Sequence, residues 1–545
     1  MIRQCALILL LTLGLAGVAS GGVLNVPGDY AQINDAVQAC APGDTVLVAA
    51  GTWHDCTHPT EGPGTTPASV IMKSGVTLRG AGPDQTIIDA QSLGRGIFIE
   101  AVSDCRVENL RVTGAFASIY GAGILVRNVD ATVAVTDVRV TGCTDGGVIC
   151  ITGASPVLTR VVMDNNSAKQ GGGLAIEESS SPQVIDCVVE ANTAPSGAGV
   201  FIRQNCAPVL SGCLITGNAI TANWGNGGGI SVQSSTPQIL GCEITDNTTL
   251  GYGGGVAYLD GAAGLMEDCL VQGNDGAFTY SQGGGIATSA AGPTLRRVVI
   301  VGNTASGFFA EGGGIDISFA PAPTLESCTI AGNATSPNGF GGGISVQWSA
   351  APVIDRCIIA FATAGQGLFC SSATPVVSCT DIYGNAAGDA LCGTDAGGNF
   401  SADPLFCGSA GHEYNLDPAS PCAPGNHPGG LCGGDLIGAL AAGCGESPVP
   451  DAALAGLGLD NYPNPFNPMT TIVFSLPADG PAVLRVFDLQ GRLVHHAAWD
   501  RLDAGRHEHR WNGTDRSGRA LASGLYLYRL DSGQLSLTRR MSLIR

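Results

Sequence analysis

The apolar positions of this chain repeat. A glycine-rich phrase returns every 26 to 30 residues: GGGLAI at Gly171, GAGVFI at Gly197, GGGISV at Gly227, GGGVAY at Gly253, GGGIAT at Gly283, GGGIDI at Gly312 and GGGISV at Gly341. The first position after the glycines is aliphatic in every copy (Leu174, Val200, Ile230, Val256, Ile286, Ile315, Ile344), and the third is mostly so. The positions between are mixed and mostly small or polar. Such alternation predicts a short strand with one face buried and one exposed. A second phrase, starting at Pro156, Pro182, Pro208, Pro237, Gly264, Pro293, Pro323 and Pro352, carries Leu158, Val184, Leu210, Ile239, Met266, Leu295, Leu325 and Ile354 two residues on. Ten residues past its start stands an Asn: Asn166, Asn192, Asn218, Asn247, Asn274, Asn303 and Asn333.

One unit of short strands and turns cannot bury its own apolar side, but a stack of such units shares a continuous core. Helical repeats fit poorly, because the phrases are short, β-branched and punctuated by Gly and Pro. The fold predicted is a parallel β-helix in which equivalent residues form ladders along the axis. The Asn row then sits in tight turns needing positive φ, with its amides bonding coil to coil. Cys187, Cys213, Cys242, Cys269, Cys328 and Cys357 share one position with Val161 and Val298. Exchange with Val points to a small buried hydrophobe, with a disulfide ladder as the alternative.

The solenoid needs caps, since its ends expose strand edges and core. Tyr30 to Cys40 has the spacing of a short amphipathic helix. "INDAVQACAPGDTVLVAAGTW" (Ile33 to Trp53) and "VTLRGAGPDQTIIDA" (Val76 to Ala90) resemble the amino-terminal signature of secreted right-handed parallel β-helix proteins of the pectate-lyase-like superfamily. The resemblance runs from about Val23 to Gly445 and implies fold more than activity. At the other end, Cys370, Cys379, Cys392, Cys407, Cys422, Cys432 and Cys444 crowd a stretch where the apolar ladders fade, so disulfides are expected to staple an irregular cap over residues 370–445.

Composition adds the compartment. Residues 1–20 read as a secretory signal peptide: Arg3, an apolar stretch from Ala6 to Val18, and a small-residue cleavage site. That stretch is too short for a membrane span. The chain is acidic, with a net charge of −20, which disfavours nucleic-acid or anionic-membrane surfaces. After a linker at 446–458 the character changes: residues 451–545 carry +2 and the rest −22. Six or more strand-like runs separated by turn signals predict a small β-sandwich at 459–545. Its "NYPNPFNP" (Asn461 to Pro468), "RVFDLQGRLV" and "RWNGTDRSGRALASGLYLYRL" resemble the Ig-like domain of the flagellar hook-capping protein and the type A sorting domain of type IX secretion cargo. The resemblance implies export, with this module as address or anchor and the secretion machinery as its partner.

Candidate chemistry is sparse. Two residues past the glycines, the side chains predicted to face outward are Ala175, Phe201, Ser231, Ala257, Ala287, Asp316 and Ser345. This face is nearly uncharged, which argues for binding over catalysis. Glu177 and Arg203 are predicted neighbours on adjacent coils, forming an exposed ion pair of ~0–1 kcal/mol. With Glu178 and Asp260 they are the candidate catalytic residues should the face turn over a glycan. Only the lyase alternative would call for Ca²⁺, and no other cofactor is implied. Aromatics cluster in the turns entering the Gly-rich strands: Trp224, Tyr252, Phe278, Tyr280, Phe308, Phe309 and Phe340. Trp224, Tyr252, Tyr280, Phe309 and Phe340 are the candidate ligand-binding residues, an edge suited to sugar rings, with turn residues that simply pack on one another as the alternative. His54, Cys56 and His58 match no strong metal-ligand spacing, and His507 and His509 read as one face of an exposed strand.

The reading is thus an all-β, right-handed parallel β-helix over residues 23–445 followed by an Ig-like sandwich. It is a secreted or outer-surface scaffold that binds polysaccharide or a cell-surface glycan. The competing reading is a polysaccharide lyase or glycoside hydrolase.

Overall fold

The computed structural model describes residues 21–59, 66–116, 121–277, 280–407, 414–430, 432–440 and 442–443, and in the C-terminal module 458–462, 468–476, 479–487, 493–503, 505–515, 519–521, 524–532 and 535–543. The predicted signal peptide, nearly all of the predicted linker and Phe278 lie outside the described residues. The chain divides into two compact units, a solenoid and a C-terminal module.

In the solenoid the seven Gly-rich phrases supply the middle of a 13-stranded front sheet, in which Ile230, Val256 and Ile286 stack in register as parallel neighbours. The second phrases lie in a 26-stranded back sheet, to which each regular coil contributes two short strands, such as Val209–Ser211 and Leu214–Thr216. A third sheet of six two-residue strands closes the middle coils. One apolar core runs through the stack from Val26 to Ile382. Each fully buried Val, Leu or Ile in it stabilises by about 1.5–3 kcal/mol relative to exposure. The amino-terminal helix is Ile33–Ala39, shorter than the spacing predicts, and it buries Ile33, Ala36 and Val37 against the first coils.

The Asn row behaves as a ladder of amides, with one correction. Asn218 donates from its backbone N–H and from Nδ2 to Asn247 Oδ1, at 3.0 and 2.9 Å, and from Nδ2 again to the Val189 carbonyl at 2.9 Å. The residue in the left-handed region is the one before each Asn: Asn165, Ala191, Gly217, Asp246, Gly273, Gly302 and Gly332. The turn places the tight bend outside and swings the following amide inward. Inside the core, Cys187, Cys213, Cys242, Cys269, Cys328 and Cys357 are buried free thiols, as small hydrophobes would be. Elsewhere in the core, burial pushes the thiols of Cys105, Cys143 and Cys150 up to about 12. The far cap is held by Cys370–Cys392 and Cys379–Cys432.

The C-terminal module is a pair of antiparallel sheets, three-stranded and four-stranded. They enclose a separate core that includes Phe474, Leu484, Val486, Trp511, Tyr528 and Leu530. Among the described residues no helix is long and apolar enough to cross a membrane.

Candidate functional site

A glycine triplet, Gly-Ala-Gly in the copy at Gly197, shapes the entry to each repeat front strand from Leu174 to Ile344. The first sits at positive φ (+64° at Gly253, +69° at Gly283), where a side chain would be strained. The third abuts the next coil: a Cβ on Gly285 would lie 2.7 Å from the Gly314 carbonyl oxygen. The entering turn therefore folds back over the start of its own strand. A Cβ on Gly197 would stand 2.8 Å from that of Phe201.

This close approach overturns one expectation. Ala175, Phe201, Ser231, Ala257, Ala287, Asp316 and Ser345 do point away from the core, yet all are buried, because the glycine turns cover them. The Glu177–Arg203 pair is likewise not the exposed pair predicted. Glu177 is buried, and Nε and Nη2 of Arg203 both donate to its Oε2 at 2.9 and 2.7 Å. The guanidinium also lies over the Phe201 ring. Glu178 and Asp260 do not join them. Each occupies a left-handed turn at the far end of its strand, Glu178 accepting from the Thr152 hydroxyl and Asp260 offering its carbonyl oxygen to Ser234.

The aromatic edge is real, but it has two registers. Trp224, Tyr280 and Phe309 form a stacked file, with centroids 6.0 and 5.3 Å apart and planes within 13° and 17°, and Phe308 meets Phe309 edge-on. These four are between 47 and 58 % exposed. Their neighbouring faces cover one another, so the file offers solvent its ring edges and the outer faces of its end members. Tyr252 and Phe340 lie in the ladder two residues on, which pairs Asn226, Tyr252, Gln282, Glu311 and Phe340 by backbone bridges. Tyr252 is half-buried, and Phe340 stacks at 4.6 Å on Phe369, a residue the sequence pattern did not single out. At the opposite strand end, Trp348 stacks on Phe319 of the adjacent coil.

Beside the ladder of Tyr252, Gln282 and Glu311 lies a polar cluster whose grouping the sequence does not show. Asp316 is fully buried, and neither carboxylate oxygen has a hydrogen-bond partner. Desolvation pushes its carboxyl well above the usual carboxylate range, and the Glu311 charge adds to the shift. Ser345 and Gln347 favour the charged form but fall short of hydrogen-bonding geometry with it, and burial wins. Glu311 accepts from Gln282 at 2.9 Å. The Tyr252 phenol is raised by burial first, then by Asp316 and Glu311. One signal was available: Asp316 is the lone charge in a row of Ala, Ser and Phe.

His54 and His58 are each taken by a carboxylate, Asp89 at 3.4 Å and Asp55 at 2.9 Å, and Cys56 is buried. Among the described residues no group of three or more His, Cys, Asp or Glu is placed to hold a metal ion.

A search of curated proteins finds no match to this chain. Several solved structures are similar to it. PorU and PorZ of Porphyromonas gingivalis match 16 % and 17 % of this chain at 23 % and 26 % identity (TM-scores 0.15 and 0.13). The chain spans only 9 % and 12 % of their lengths; the second is described as a surface component of the type-IX secretion system. The A-module of the Azotobacter vinelandii mannuronan C-5 epimerase AlgE6 shares 15 % identity over 71 % of this chain and 98 % of its own (TM-score 0.38). The model of the right handed beta helix region matches residues 75–228, 122–287, 219–314 and 277–402, more than half the chain, and that of the FlgD Ig-like domain matches 469–534. By that coverage and by its stacked parallel coils, the chain belongs to the right handed beta helix family and ends in an Ig-like domain of the FlgD type.

Proposed function

We propose that this is an exported, surface-associated protein whose solenoid binds a polysaccharide along the turn edge of the front sheet, while residues 459–545 act as sorting or anchoring module. The exposed file of Trp224, Tyr280 and Phe309 carries the reading. Soluble proteins rarely leave several large rings exposed side by side without a partner. Aromatic surface flanked by polar groups is a usual lining of ligand sites, and the apolar face of a sugar ring suits it. The two disulfides fit an oxidising compartment.

Charge narrows the ligand. Outside residues 451–545 the chain carries −22, and the solenoid's arginines are largely spent on carboxylates, as in Arg160–Asp137 and Arg297–Asp268. A neutral glycan is favoured over a uronate polymer. The lyase or hydrolase reading finds little support in its candidate residues. Glu177 and Arg203 neutralise each other, and Glu178 and Asp260 stand apart in turns at the far ends of their strands.

Affinity electrophoresis of the full chain in gels containing neutral or uronate polysaccharides tests the proposal. Retardation by a neutral glycan is expected, weakened at least tenfold by Trp224→Ala with Tyr280→Ala. Equal retardation of that variant and the wild type would refute the site. Release of reducing ends or unsaturated uronates, lost in Glu177→Gln or Arg203→Gln, would replace binding by catalysis. Deleting residues 459–545 is expected to abolish surface delivery.

A further inference from the structure

The C-terminal module holds a histidine pair that glycan binding does not use. His495 lies on the strand Leu493–Leu502 of the four-stranded sheet, and His509 on Gly505–Trp511 of the three-stranded sheet. The sequence pattern suggested an exposed strand for His507 and His509; instead both are half-buried. His495 and His509 meet Nε2 to Nε2 at 3.0 Å, with ring centroids 5.2 Å apart and planes 30° apart. Trp511 lies against His495, and Trp499 stands edge-on to His509.

A neutral imidazole has one N–H, so two facing Nε2 atoms can share only one proton. Protonating both would set two cationic donors against each other. Burial first, then His509 and His496, lower the His495 pKa to about 4, and burial lowers that of His509. Both rings are therefore neutral at ordinary pH, the form that ligates metal.

Two neutral imidazoles converging from different strands are the donors that borderline divalent cations select. A tetrahedral Zn²⁺, with Zn–N of about 2.0–2.1 Å, holds two nitrogens about 3.4 Å apart. That is only a few tenths of an ångström wider than the present separation. We propose that His495 and His509 bind one zinc-class divalent ion through their Nε2 atoms, clipping the two sheets of the module together, with water completing the coordination shell. The ring that now carries its proton on Nε2 shifts to the Nδ1 tautomer, so the pair releases no proton on binding. His507 is otherwise engaged, its Nε2 lying 2.7 Å from the Asp503 carbonyl oxygen, and His496 is exposed.

The test uses the full chain without a histidine tag, and Zn²⁺ or Cu²⁺ alone as probe. Zinc is expected to raise the unfolding temperature of the module, and the Cu²⁺ form to show hyperfine coupling to two imidazole nitrogens. His495→Asn and His509→Asn should each weaken binding at least tenfold. His507→Asn and the double variant His54→Asn with His58→Asn should not. Should either pair variant fold poorly, the nitrogen count on wild-type Cu²⁺ protein decides: two imidazoles support the site, fewer overturn it. Unchanged zinc affinity in a folded His509→Asn variant overturns it as well.

Discussion

Two neighbouring cysteine positions in the back sheet have opposite fates. Cys357 points into the core and is a buried free thiol, like the five cysteines sharing its position in earlier coils. In the next coil Asp355 pairs with Ser378, which sets Cys379 beside Arg356 rather than beside Cys357. Cys379 has φ +45°, in a left-handed turn on the outside, and is bonded to Cys432. A shift of one residue moves a side chain to the other face of a strand. Inside, sulfur is packing material shielded from oxidant; outside, where the apolar ladder is running out, it becomes a covalent staple. The middle of the solenoid is stabilised by repetition, and its end by cross-links.

Breaking the staple is the strongest test of that contrast. Replacing Cys379 and Cys432 by Ser should cost about 2–4 kcal/mol. Limited proteolysis should show the loss confined to residues beyond about 370, with the coils around Ile286 still protected. A smaller, pH-dependent effect is expected at Asp381, buried in the same cap, where it accepts from the Ala402 N–H and the Cys422 thiol. Burial pushes its carboxyl up to about 7. The folded cap therefore holds a proton that the unfolded chain gives up near 3.8, and stability falls as pH rises from about 4 to about 7. Asp381→Asn should flatten that slope, so that urea midpoints at pH 5 and pH 8 draw together; an unchanged slope would assign it to other groups. The smallest effect belongs to the inner row. Cys242→Val should shift the urea midpoint hardly at all, within about 1 kcal/mol, because Val161 and Val298 already fill that position. A loss as large as that of the staple would mean the inner thiols do more than pack.

The sequence made the ladders legible because strand periodicity and coil length are local properties, and Ile230, Val256 and Ile286 fall where the repeat places them. Features governed by contact between coils were not legible. The outward row reads as exposed from alternation alone; only the folded-back glycine turns show it to be covered, and with it Asp316 and Glu177. Trp224 and Tyr252 look equivalent in the sequence, but two residues of register separate the stacked file from the half-buried ladder. His509 meets His495 across two sheets, a juxtaposition no spacing encodes.

Because each coil leaves the stack where the next begins, and neighbouring coils meet in the same register, the coil is a modular part. A duplication or deletion spanning one glycine phrase to the next would lengthen or shorten the rod by a single step, joining like to like. The span of the front sheet is then a dial that gene duplication can turn without redesigning a residue.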